Sequence, residues 1–190
     1  MKANRGGLGV RAMGKMAGLL VGGVVLLCVI GCNRSATDAG HAKNASAALP
    51  AGLLVEEPPP HAREVGEARR AAAEGDTLAV RGRIGGRRQP FVEGRAIFTL
   101  ADLSIPTCAD KDDDHCTTPW DYCCEPPDHL AAHLLTVQVV DADGRPLAAD
   151  LSAAGLEPMA EVVVQGRVSQ KIDDKVLILD ASAIHVRRSR

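Results

Sequence analysis

The sequence predicts a mainly all-β domain, five strands closed into a small barrel. Period-two alternation recurs in five segments, Gly- and Asp-rich breaks separate them, and the apolar residues are almost all Val, Leu, Ile and Ala. The chain's four aromatics, Phe91, Phe98, Trp120 and Tyr122, all fall between residues 91 and 122.

The first strand is Thr77–Ile84 (TLAVRGRI), with Leu78, Val80, Gly82 and Ile84 on one face and Gly85-Gly86 as its break. The second is Arg95–Ala101, ended by Asp102. The third, Leu134–Asp141, runs into a turn at Asp143-Gly144. Ala148–Gly155 predicts a short helix between the third and fourth strands, with Gly155 as its C-cap. Glu161–Gln170 is the fourth strand and Asp173-Asp174 a turn. Lys175–Arg187 is the fifth strand, bent near Ala181-Ser182.

Two phrases are near copies: Val80-Arg81-Gly82-Arg83-Ile84 and Val164-Gln165-Gly166-Arg167-Val168. A mid-strand glycine permits the bend that a small barrel requires. With Phe98–Asp102 (FTLAD) between them, these phrases resemble those of OB-fold modules over residues 75–187. That resemblance implies a fold and says almost nothing of activity.

Residues 103–133 form a Cys/His-rich insertion between strands two and three, long for a compact domain. It holds Cys108, Cys116, Cys123 and Cys124, His115, His129 and His133, and both Trp120 and Tyr122. An even cysteine count in an exported chain implies disulfides. A vicinal Cys123–Cys124 bridge is strained, which favours Cys108 and Cys116 each bonding one of the adjacent pair. The competing reading is a metal site: thiolates with the i, i+4 pair His129 and His133, and with His115, suit zinc or copper. Asp112-Asp113-Asp114 lacks the ligand spacing of a calcium loop. Trp120 and Tyr122 offer a binding platform or, beside the Cys pair, a mini-core. The string Pro119-Trp120-Asp121-Tyr122-Cys123-Cys124 resembles the loop of a group of small uncharacterised envelope lipoproteins with an OB-like domain.

The amino-terminal segment sets the expected compartment. Lys2, Arg5, Arg11 and Lys15 precede an apolar run that ends Val29-Ile30-Gly31-Cys32. This pattern is an export signal, and its end resembles the lipobox of bacterial lipoproteins. The resemblance implies cleavage after Gly31, lipidation of Cys32 and anchoring in the cell envelope. A spanning helix over Met16–Asn33 is the other reading. The expected organisation is a signal peptide at 1–31, a flexible Ala/Pro-rich tether at 32–74 and the domain at 75–187. Within the tether, Ala62–Glu74 has the composition of a short helix.

The leader carries four basic residues and no acid, so the remaining chain has 18 basic residues against 24 acidic. This balance and export disfavour a nucleic-acid partner. The motifs H-E-x-x-H, G-x-S-x-G and C-x-x-C are absent, which weakens hydrolase and thiol-exchange readings. The expected function is a non-enzymatic binding module held at the membrane lipid through Cys32. Its partner would be an envelope ligand or protein, its loop would be disulfide-stapled, and it would require no cofactor; the alternative is a Cys/His envelope protein that binds zinc or copper.

Overall fold

The computed structural model describes residues 47–111 and 116–187. The leader, Cys32, the first part of the tether, Asp112–Asp114 and His115 lie outside the described residues. No described helix is long and apolar enough to cross a membrane.

The chain is mostly β. Its elements in order are β1 (Arg63–Glu64), α1 (Val65–Ala71), β2 (Thr77–Ile84), β3 (Ile97–Ala101), α2 (Pro127–Ala132), β4 (Leu134–Gln138), β5 (Glu161–Ile172) and β6 (Val176–Arg187). Single 3-10 turns sit at Cys108–Asp110, Pro119–Asp121 and Ser152–Ala154. The five expected strands are present, and β1 adds a short parallel pairing with β2. The helix expected at Ala148–Gly155 is only the last of those turns. Gly155, at φ +79°, closes it by donating its N–H to the Ser152 carbonyl.

The strands form one sheet in the order β1-β2-β3-β4-β6-β5, and β2 also pairs with β5. The hydrogen-bonded circuit β2-β3-β4-β6-β5-β2 therefore returns to its start. The β4–β6 pair is parallel, while the circuit's other pairs are antiparallel. The repeated glycines serve close approach. A Cβ on Gly82 would lie 2.6 Å from the Ala101 carbonyl oxygen, and one on Gly166 would lie closer still to that of Asp180. The β5–β6 register shifts between Gln165 and Gly166, so the second glycine marks an irregular bend.

One apolar core fills the interior. Val80, Ile84, Phe98, Leu100, Val137, Val164, Val168, Leu179 and Ile184 are each at most 1% exposed. Leu53, Val65, Ala68 and Ala72 join it and Leu49 packs against it, so the described part of the segment read as a flexible tether belongs to the packed domain. Backbone pairing adds to the hydrophobic reason: Leu54 bridges to Ile184, and the Val55 N–H donates to the Ile184 carbonyl. Burial of an apolar stripe along α1 and its C-cap, at positions 65, 68 and 72, outweighs the polar composition of the segment.

A second, smaller cluster of Ala101, Ile105, Tyr122 and Leu134 lies under the insertion, with Leu130 against it. Asp102 locks α1 to this layer. Its carboxylate accepts from the Gly66 N–H at 2.6 Å, the Ser104 N–H at 2.9 Å and the Ser104 hydroxyl at 2.7 Å. Burial opposes the charge, but the Gly66 and Ser104 bonds, with His133 nearby, hold its pKa below the usual carboxylate value. Gly66 fits this contact because a Cβ there would crowd His133 at 3.0 Å and Asp102 at 3.1 Å.

Candidate metal centre

The insertion is fastened to the strand layer at Gly85-Gly86. The Gly86 N–H donates to the Trp120 carbonyl at 2.7 Å, and the Trp120 indole N–H donates to the Arg88 carbonyl at 3.2 Å. A Cβ on Gly85 would come within 2.7 Å of the Trp120 oxygen, so this approach requires glycine.

Two short turns then present the sulfur atoms. At Cys108–Asp110 the Asp110 carboxylate accepts from both the N–H and the hydroxyl of Thr107, each at 2.8 Å. At Pro119–Asp121 the Thr118 hydroxyl donates to Asp121 Oδ2 at 2.8 Å, and the Cys123 N–H donates to Oδ1 at 2.9 Å. Tyr122, at φ +56°, takes a left-handed conformation between Asp121 and Cys123. It is 1% exposed and anchors the turn in the smaller core. Tyr122 is therefore not a binding platform; burial of its ring makes it the mini-core residue. Trp120 is half-buried and held by its indole bond.

These turns bring together Cys108, Cys116, Cys123 and Asp121. One ligand atom from each lies within 4.8 Å of all the others, a group able to hold a metal ion. Cys123 Sγ is 3.6 Å from Cys108 Sγ and 3.6 Å from Cys116 Sγ. Asp121 Oδ1 is 3.8 Å from Cys108 Sγ and 3.9 Å from Cys116 Sγ. A tetrahedral ion with metal–sulfur bonds of about 2.3 Å and a metal–oxygen bond of about 2.0 Å sets sulfurs about 3.8 Å apart and sulfur from oxygen about 3.5 Å apart. The four observed spacings lie within about 0.4 Å of that frame, and the other two are bounded only by 4.8 Å.

No disulfide is seen among the described residues: Cys108 Sγ and Cys116 Sγ each stand 3.6 Å from Cys123 Sγ, where a bond requires about 2.05 Å. Cys124 Sγ is 3.9 Å from Cys123 Sγ and outside the group. His129 and His133 are elsewhere, and His115 lies outside the described residues. His129 on α2 and His133 at its C-cap do lie together, with ring centroids 4.7 Å apart. However, His129 Nδ1 contacts Glu125 at 3.2 Å and His133 Nδ1 contacts the His129 carbonyl at 2.8 Å, and neither belongs to the sulfur group. Asp121 is the member that sequence reasoning overlooked. Its signal was local: a carboxylate three residues after Thr118 and two before Cys123.

The four groups shift one another's titration. Hydrogen bonding, first from the Thr118 N–H and then its hydroxyl, lowers the Cys116 thiol pKa. Cys116 first, and then Cys108, push the Cys123 thiol well above its ordinary value. Burial works against the Asp121 charge, but bonds from Thr118 and Cys123 outweigh it and lower its pKa. Three thiols and a carboxylate at these distances repel one another when ionised, and a divalent ion at their centre removes that repulsion. An ion held there would have four protein donors among the described residues, the donor number of a structural rather than a hydrolytic site.

No protein family and no curated protein matches this chain. A solved structure titled "Structure of the hypothetical protein ygiW from E. coli" aligns with it at a TM-score of 0.34 and 13% identity, covering 75% of this chain and 98% of that chain.

Proposed function

We propose that this chain is a lipid-anchored envelope protein, a non-enzymatic binding module whose insertion holds one zinc ion. Cys108, Cys116, Cys123 and Asp121 are its ligands. The observation that carries the reading is Cys123, equidistant from two other sulfurs. A disulfide pairs one sulfur with one other; a metal ion holds several at equal spacing. The carboxylate selects zinc over copper(I), which favours all-sulfur surroundings.

Around that centre, the strand circuit supports an OB-fold-like barrel. Numbered without β1, its order is 1-2-3-5-4-1, and mid-strand glycines lie where strands cross closely. The lipobox at Val29–Cys32 supports anchoring through Cys32, on the outer face of the cytoplasmic membrane or beyond it.

The test is to produce the full chain in a bacterial envelope and extract it in mild detergent. Metal content, thiol trapping and intact mass are then read on one sample. About one zinc per chain, with thiols protected until a chelator is added, supports the proposal. A mass lower by four hydrogens with no metal makes the insertion a disulfide-stapled loop. Copper in place of zinc overturns the assignment of the ion.

A further inference from the structure

A cleft of about 290 Å³ lies between α1, α2, β4 and the β5–β6 turn, and none of its lining residues belongs to the sulfur group. Three cations line it: Arg69, Arg87 and Lys175. No Asp or Glu is among its described lining residues. Its floor is apolar, including Leu130, Leu134 and Leu177.

Arg69 is the unusual member. It is only 7% exposed, yet among the described residues no carboxylate lies within ion-pair distance of it. Its guanidinium donates instead to two backbone carbonyls, of Leu134 at 2.5 Å and of Asp174. The Asp174 carboxylate acts on it only at longer range. Nearby, the Lys171 ammonium is likewise held by carbonyls, those of Arg69 and Ala72. Buried charge is normally balanced by an opposite charge, because carbonyl dipoles replace only part of its hydration. Arg87 and Lys175 add two exposed cations at the rim.

We infer that this cleft binds a small organic carboxylate with a short apolar body. The carboxylate would sit among Arg87, Lys175 and the edge of Arg69, and its hydrocarbon part on Leu130, Leu134 and Leu177. The volume is at the small end for ligand pockets, which suits a short-chain molecule. Arg87 is the best-placed clamp, since its planar donors match a carboxylate. The inference is independent of the zinc reading, because Arg87 and Lys175 lie outside the sulfur group.

The experiment titrates the full chain, held in phosphatidylcholine nanodiscs, with hexanoate, 1-hexanol and inorganic phosphate. Amide shifts of Thr136 and Leu177 report binding, and empty nanodiscs correct for partitioning. Hexanoate should bind at least about tenfold more tightly than hexanol or phosphate. The exposed double variant Arg87→Ala/Lys175→Ala should lose that preference while keeping its thermal midpoint and zinc content. Equal affinity for hexanoate and hexanol, tighter binding of phosphate, or a double variant that still prefers hexanoate would each overturn the inference.

Discussion

Replacing Asp102 by Ala tests how α1 is held to the layer that carries the insertion. The carboxylate is 3% exposed and accepts three hydrogen bonds. Its loss leaves the Gly66 N–H as a buried donor without an acceptor, which costs about 2 kcal/mol. The Ser104 bonds are partly exposed and water replaces them in part, so they add about 1 kcal/mol together. For a domain of about 140 residues, unfolding entropy is roughly 0.3 kcal/mol per kelvin, so about 3 kcal/mol lowers the midpoint by about 10 °C. The effect also has a pH signature. The folded pKa of Asp102 is depressed, so its contribution is full above the unfolded carboxylate value, near 4, and disappears as pH falls through the lower folded value. Thermal unfolding by circular dichroism from pH 8 to pH 3 reads both. The gap between parent and variant should be constant down to about pH 5 and narrow below about pH 4. A midpoint change under about 3 °C, or a gap that does not narrow in acid, would refute the role assigned to this carboxylate.

Gly166→Ala should cost about 3 kcal/mol in denaturant melts, because its Cβ would meet the Asp180 backbone oxygen well inside contact distance; a neutral result would contradict the close strand approach. Tyr122→Phe should stay within about 1 kcal/mol of the parent, since the buried hydroxyl has no hydrogen bond of good geometry and the Arg83 guanidinium beside it is at best a weak donor. A loss above about 2 kcal/mol would show that the Arg83 contact is a full hydrogen bond. Cys116→Ser should abolish zinc retention and His129→Ala should leave it intact; the reverse pattern in metal analysis would restore the histidines as ligands. Cys32→Ser should move the protein from the membrane fraction to the soluble fraction, and full retention would point to a spanning helix.

The strands were legible because alternation is a local signal. Thr77–Ile84 has the observed bounds, and Glu161 opens both the expected and the observed strand. The packing of α1 was less visible. Its Glu, Arg and Ala content and the preceding Pro58–Pro60 suggest a linker, while the stripe at 65, 68 and 72 relies on two alanines and one valine. Such a stripe identifies itself only when an apolar surface is known to face it. The same limit governs the site. Spacing correctly brought His129 and His133 together at α2 and its C-cap, but spacing along a helix cannot say which way the pair points. The sulfur group depends on a left-handed Tyr122 and on the sequence-distant pair Gly85-Gly86, contacts that no local pattern announces.

X-ray absorption at the zinc edge of the full chain, purified without chelator or added metal, tests the central claim most directly. The account predicts three sulfurs at about 2.3 Å and one oxygen at about 2.0 Å, with no imidazole scattering. No zinc signal, or a shell containing imidazole nitrogen, would contradict the assignment of Cys108, Cys116, Cys123 and Asp121.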